Sequence, residues 1–198
     1  LEEKFNRIIT GMAYAYNGER LFEKKVESFS TVAALYMEQV QIVTLDPNIK
    51  SVADLAGKNV SVGESGSGVF FNAVDGKIDA AFVVAGAPTN AILSLSASRD
   101  VYLVELDDEH INKLIEASPY YSKNVIPASA YNMAADATTV AVGAVIIARD
   151  DCSEDDIYNV CAGIFDSIDT LGHDKKAELS LDFAASITAV PYHAGAAK

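Results

Sequence analysis

Short apolar runs and stripes of helical period alternate along the chain. Val40-Gln41-Ile42-Val43 reads as a strand, Val52–Leu55 as a short helical turn closed by Gly57, and Val60-Ser61-Val62 as a second strand. Beyond Gly76, the run Ile78-Asp79-Ala80-Ala81-Phe82-Val83-Val84 has the continuous apolar character of a strand covered on both faces. Helical spacing returns at Ala91, Ile92, Leu93 and Leu95, and Val101–Val104 follows as a strand. Asp107-Asp108-Glu109 then opens a helix with Ile111, Leu114 and Ile115 at i, i+3, i+4 spacing. Val140–Ile147 is a long final strand. After it, Ser153 has the character of an N-cap, with Glu154, Asp155 and Asp156 in the first turn. Ile157, Val160, Cys161, Ile164, Phe165 and Ile168 form one stripe that ends near Gly172. Strands alternating with helices predict an α/β architecture with a largely parallel sheet. The turn-rich stretch Ser118–Ala137 reads either as a connection between two lobes or as a surface loop.

Composition narrows the function classes. Half of the 198 residues are hydrophobic, enough for a real core, and 15 basic against 28 acidic residues give a net charge of −13. A surface of that sign repels polyanions, so a nucleic-acid role is disfavoured. No apolar run reaches the roughly 18 to 20 residues of a membrane span. The start, Leu1-Glu2-Glu3-Lys4-Phe5, lacks the pattern of a signal peptide, which is silent about compartment because an exported protein loses its signal. Cys152 and Cys161, if both lie in one helix, stand about 13 Å apart, too far for a disulfide. Neither pairs with His110, His173 or His193 at metal-ligand spacing, so neither a structural zinc nor a cofactor is expected.

The segment richest in chemistry is Gly63-Glu64-Ser65-Gly66-Ser67-Gly68, at the carboxyl end of the strand Val60–Val62. Ligands of open α/β sheets bind at such ends. Its glycines allow close backbone approach, its serines offer hydroxyls, and a helix starting at Val69 would direct unpaired N–H groups at a carboxylate or phosphate. Read blandly, the same residues are a tight strand-to-helix turn. Read as catalysis, Gly63-Glu64-Ser65-Gly66 approaches the nucleophile elbow, with Ser65 as nucleophile and His193 as the best-placed base; Ser67 stands where that motif needs glycine.

Phrases in fixed order carry a resemblance. Ala13-Tyr14-Ala15-Tyr16-Asn17-Gly18, Ala34-Leu35-Tyr36, Ser51–Gly63 with Gly66-Ser67-Gly68, Asp75–Phe82 with Ala85-Gly86-Ala87-Pro88, Thr139–Val142 and Pro191–Ala196 are similar to the TAXI family of TRAP transporter solute receptors. The resemblance implies a type II periplasmic-binding-protein fold: two α/β lobes, each a mixed, mostly parallel sheet flanked by helices, joined at a hinge and closing over a small ligand. One lobe would comprise 1–44 plus 136–198, lacking its N-terminal strand-helix unit, and the other 45–135, with crossings near Thr44–Pro47 and Ala128–Thr138. It implies a monomeric, exported, periplasmic receptor without enzymatic activity. Such a receptor hands an amino acid or organic acid, of the glutamate, glutamine or 2-oxoglutarate class, to an ion-coupled permease subunit. The implied ligand-binding residues are Ser65, Gly66, Ser67, Gly68 and Val69, then Ala85, Gly86, Ala87 and Pro88, and an aromatic wall of Tyr14 and Tyr36, for each of which core packing is the competing role. Arg7, Arg20, Arg99 and Arg149 fall outside the cleft phrases, so recognition by backbone N–H and hydroxyl groups is expected. Only Val69–Val74 stands where the family has a long helical insert. Met37 and Gln39 replace frequent prolines, and Thr10-Gly11 replaces a frequent Ser-Asp. A serine hydrolase using Ser65, and a ligand-free interaction protein or surface antigen, are the alternatives.

Overall fold

The computed structural model describes residues 9–20, 22–62 and 76–198. In chain order the elements are α1 (Ile9–Asn17), β1 (Phe29–Thr44), β2 (Val60–Ser61), β3 (Ala80–Ala85), α2 (Asn90–Ser96), β4 (Tyr102–Leu103), α3 (Asp108–Ala117), β5 (Ser122–Ile126), β6 (Ala137–Arg149), α4 (Glu154–Phe165) and α5 (Leu181–Ala184). Two compact units divide the chain inside its two longest strands: Glu38–Val142 forms one, and the residues before and after it form the other. No described helix is long and apolar enough to cross a membrane.

In the first unit the strand order is β2-β3-β1-β6-β5, with β4 paired to the end of β1. β1 runs against β3, with Gln39 opposite Ala85 and Thr44 opposite Ala80, and against β4. β5 runs against β6, and β2 runs with β3, Val60 opposite Ala80. The described strands thus make one mixed sheet in which antiparallel ladders are prominent, where the alternation of strands and helices predicts a largely parallel sheet and the family resemblance implies a mostly parallel one in each lobe. The reason is length. β1 and β6 continue for 16 and 13 residues instead of ending at turns. Later strands pair back along them rather than crossing over. Strand β5 lies within Ser118–Ala137, which the sequence pattern leaves without an element. On the core side, Val43, Ile92, Leu95, Val101, Ile126 and Tyr131 pack together. Helix α3 begins as its sequence predicts, Asp107 accepting the His110 N–H.

In the second unit, Val32 and Ala33 of β1 pack with Ile157 and Ala184, joined by half-buried Cys161 and Phe165. Helix α4 is capped by Ser153, whose hydroxyl accepts the Asp156 N–H at 3.1 Å. It ends at Phe165, with Ile168 in a separate 3-10 turn, and Val160 of the predicted stripe is 44% exposed. The C-terminal segment docks on β1: the Thr31 N–H donates to the Pro191 carbonyl and the His193 N–H to the Thr31 carbonyl, both at 2.8 Å.

Candidate functional site

The expected ligand residues Ser65, Gly66, Ser67, Gly68 and Val69 lie outside the described residues. What the structure does describe is the strand that leads into them. β2 ends at Ser61 beside Ala81, and β3 runs parallel to it and ends at Ala85. Both strands therefore point their carboxyl ends the same way, β2 ending beside Ala81 and β3 continuing four residues further to Ala85.

The turn after β3, Ala85-Gly86-Ala87-Pro88, is held by residues from three other segments, β1, β5 and the turn that carries Tyr131. Gln41, fully buried on β1, donates from Nε2 to the Ala85 carbonyl at 2.9 Å and to Thr89 Oγ1 at 3.0 Å. Its Oε1 accepts from the hydroxyl of Tyr131, which in turn accepts the Thr89 N–H at 2.8 Å. Thr89 Oγ1 donates to the Gly86 carbonyl at 3.1 Å. Gln39, one pleat earlier on β1, accepts the Ala87 N–H at 2.8 Å and donates to Asn124 on β5 at 3.4 Å.

Two of these groups have fixed polarity, because a carbonyl only accepts and an N–H only donates. The Ala85 carbonyl orients the Gln41 amide and the Thr89 N–H makes the Tyr131 oxygen an acceptor, so the direction of every bond between them follows. Burial pushes the Tyr131 phenol above its ordinary pKa, against the lowering effect of its bonds to Thr89 and Gln41, so it keeps the proton it donates. The turn also contains a cis Ala87-Pro88 peptide bond. The network fixes the backbone at the β3 exit and commits several of its polar groups internally. Gln39, Gln41, Thr89 and Tyr131 escape sequence reasoning because their partners lie 42 to 90 residues apart.

The aromatic residues belong to the second unit. Tyr14 is buried on α1, with the Arg20 guanidinium 5.4 Å from its ring centre. Tyr36 is half-buried on β1, and the Lys175 ammonium stands 5.8 Å from its ring centre. Lys175 lies on the 3-10 turn Asp174–Glu178 and pairs with Glu178, whose second oxygen accepts the Met37 N–H at 3.1 Å. His193 is buried, and its Nδ1 accepts the Gly195 N–H at 3.1 Å, which places a ring proton on Nε2. The nitrogen a base would use is thereby occupied locally.

A pocket of about 470 Å³ in the first unit is lined in part by Thr44, Asp46, Asp79 and Arg99. It lies by the start of β3, four residues or more from Ala85 along that strand, and its lining residue Ala81 is the partner of Ser61 at the end of β2. Among the described residues no group of three or more histidine, cysteine or acidic side chains is arranged to hold a metal.

An α/β sheet in which β2 and β3 point their carboxyl ends the same way, with a buried polar network fixing the turn after β3, fits the class of solute-binding proteins. A family model described as the NMT1-like family matches residues 9–74 and 70–198. The chain belongs to the NMT1-like family, a periplasmic solute-binding family. The two matched stretches meet at 70–74, inside Val69–Val74, where the TAXI resemblance lacks its longer insert.

Proposed function

We propose that this protein is an extracytoplasmic solute receptor of a TAXI-type TRAP transporter. It binds a small carboxylate or amino acid, of the glutamate, glutamine or 2-oxoglutarate class, and delivers it to an ion-coupled membrane permease. The observation that carries this reading is the shared direction of β2 and β3, which supports a binding role for Ser65–Val69 together with Ala85–Pro88. Family membership supports binding rather than catalysis, and the local engagement of His193 Nδ1 favours no hydrolase. The lobes of this receptor are proposed as 1–44 plus 136–198 and 45–135, and its compartment as the periplasm.

The test is a thermal-shift screen of amino acids and organic acids, with hits measured by calorimetry. A true ligand at a hundredfold excess over Kd stabilises the protein by about 2.7 kcal/mol. Ser67→Ala, or a bulky side chain at Gly68, then weakens binding. Stabilisation by uncharged solutes alone overturns the carboxylate assignment, and histidine-dependent ester turnover blocked by labelling of Ser65 overturns the receptor reading.

A further inference from the structure

We propose that the pocket at the start of β3 binds a small zwitterion, an amine and a carboxylate joined by a short apolar chain. Its volume of about 470 Å³ is that of a small-molecule site, and its described lining residues all lie in the first unit. Val43 and Leu95 give it an apolar side drawn from the buried cluster of that unit. Asp46, Asp79 and Arg99 give it charge of both signs. On the β1–β3 ladder Thr44 stands opposite Ala80 and Gln39 opposite Ala85, so about 17 Å of strand separates this pocket from the Ala85–Pro88 turn. The site shares no residue with that turn or with Ser65–Val69, and its occupation goes beyond the receptor role.

The two acids are held by bonds that leave each of them an oxygen. Asp46 accepts the Asn48 N–H at 2.9 Å and the Asn48 side-chain amide at 2.8 Å on the same Oδ1, and Asp79 accepts the Asn59 N–H at 2.7 Å on Oδ2. Asp46 Oδ2 and Asp79 Oδ1 have no hydrogen bond among the described residues. Buried Thr44 donates its hydroxyl to the Asp79 carbonyl at 2.8 Å and accepts the Asp46 N–H at 3.1 Å, which ties the backbone of the two acids together. Arg99, just beyond α2, lines the same pocket, yet its guanidinium makes no hydrogen bond or ion pair among the described residues. Lys58 acts on Asp46 only at longer range, without an ion pair. Charges of opposite sign that share a pocket without pairing leave both signs to a ligand. The fixed carboxylate oxygens suit a compact ammonium, and the planar guanidinium suits a carboxylate taken by two N–H groups. A simple anion would be repelled by two acids, and a simple amine would leave the guanidinium unanswered.

The experiment titrates the full chain with straight-chain ω-amino acids, from glycine to 6-aminohexanoate, and with the alkylamine and fatty acid of matching length, followed by backbone amide NMR. At least one amino acid is expected to shift the Asp46, Asn48, Asp79 and Arg99 amides saturably, with the matched amine and acid each about 5- to 10-fold weaker. Arg99→Gln should weaken that amino acid by a similar factor and leave the amine unchanged, whereas Asp79→Asn, which keeps an oxygen for Asn59, should weaken the amino acid and the amine alike. No saturable shift at these amides, equal binding of the matched amine, or an Arg99→Gln variant that binds as the wild type does overturns the proposal. Shifts confined to the Ala85, Gly86, Ala87 and Thr89 amides place the probe at the other end of the ladder and overturn it as well, while leaving the receptor reading intact. Arg99 is exposed, so its replacement spares the core. Should that variant nevertheless fail to fold, Asp79→Asn carries the test, and unchanged binding of the amino acid overturns the proposal.

Discussion

The two units hold their buried polar groups by different means. In Glu38–Val142 the interior network is neutral: two amides, a phenol and a hydroxyl, with Gln41 at 0% exposure and Tyr131 at 2%. In the other unit the buried Thr31 and His193 side chains bond to neighbouring backbone, at Val190 and Gly195, rather than to one another, and the charged pair Lys175–Glu178 keeps 12% and 37% exposure. The difference follows from desolvation. A neutral group with every bond made can be fully buried at little net cost, whereas a charge keeps some contact with water or loses more than its partner returns. The neutral network is thus suited to fixing a turn in the interior, and the charged pair to a position nearer water.

The sharpest way to break the second unit is at Gly195. A Cβ there would stand 2.2 Å from the Glu154 carbonyl oxygen, a backbone atom at the start of α4 that has no side-chain freedom to yield. Gly195→Ala is expected to cost about 3 kcal/mol or more, read by urea unfolding, because the C-terminal segment must lift from the helix. An effect near zero would show that backbone docking does not hold this unit together.

The first unit is tested at Tyr131. Tyr131→Phe keeps the ring and removes the oxygen, stranding the buried Gln41 Oε1 and the Thr89 N–H, so a loss of about 2 to 3 kcal/mol is expected. Gln41→Leu should cost a similar amount, and the double variant much less than the sum, because both remove the same bonds. Additive losses would mean that the network is not one unit. Without ligand, Lys175→Met is expected to cost only about 1 kcal/mol, since the more exposed Glu178 can turn to water. A larger loss would erase the contrast between the neutral and the charged interior.

Much of this was legible in sequence where a signal is local. The Ser153 and Asp107 caps, the apolar run that becomes β3, and Gly57, with its φ of +74°, each follow from a few adjacent residues. What was not legible depends on distant partners. β5, Ser-Lys-Asn-Val-Ile, has too few apolar positions to read as a strand and exists by pairing with β6. β1 extends through polar Glu38 and Gln39 because Gln39 finds Ala87 and Asn124 across the sheet. Strand direction is equally invisible in periodicity, which is the same for a parallel crossover and for a strand returning along β1. Lys175 lies in Asp-Lys-Lys-Ala-Glu, a composition that reads as solvated surface, and only the approach of Tyr36 and Met37 sets it apart.

The smallest effect expected is one of pH, and it sharpens the same comparison at the surface. In the first unit three carboxylates are held below their ordinary pKa. Asp107 accepts the His110 N–H and pairs with its ring, Asp54 accepts the Ser51 N–H and hydroxyl and the Lys50 N–H, and Asp46 accepts the Asn48 N–H and side-chain amide. In the second unit the matching positions are neutral hydroxyls, Ser153 accepting from Asp156 and Ser180 from Phe183. A lowered folded-state pKa means that each carboxylate stabilises its turn fully above the unfolded-state value, near 3.8. That contribution disappears as pH falls through the folded-state value. Hydroxyl caps do not titrate in that range. Amide exchange followed from neutral to strongly acidic pH should therefore show the His110, Ser51 and Asn48 amides losing protection, relative to their neighbours, before those of Asp156 and Phe183. Asp107→Asn, which keeps a capping oxygen without the charge, should remove the pH dependence at His110 while leaving that at Ser51. If the hydroxyl-capped amides lose protection at the same pH as the carboxylate-capped ones, acid opens both units together and the caps do not set the difference.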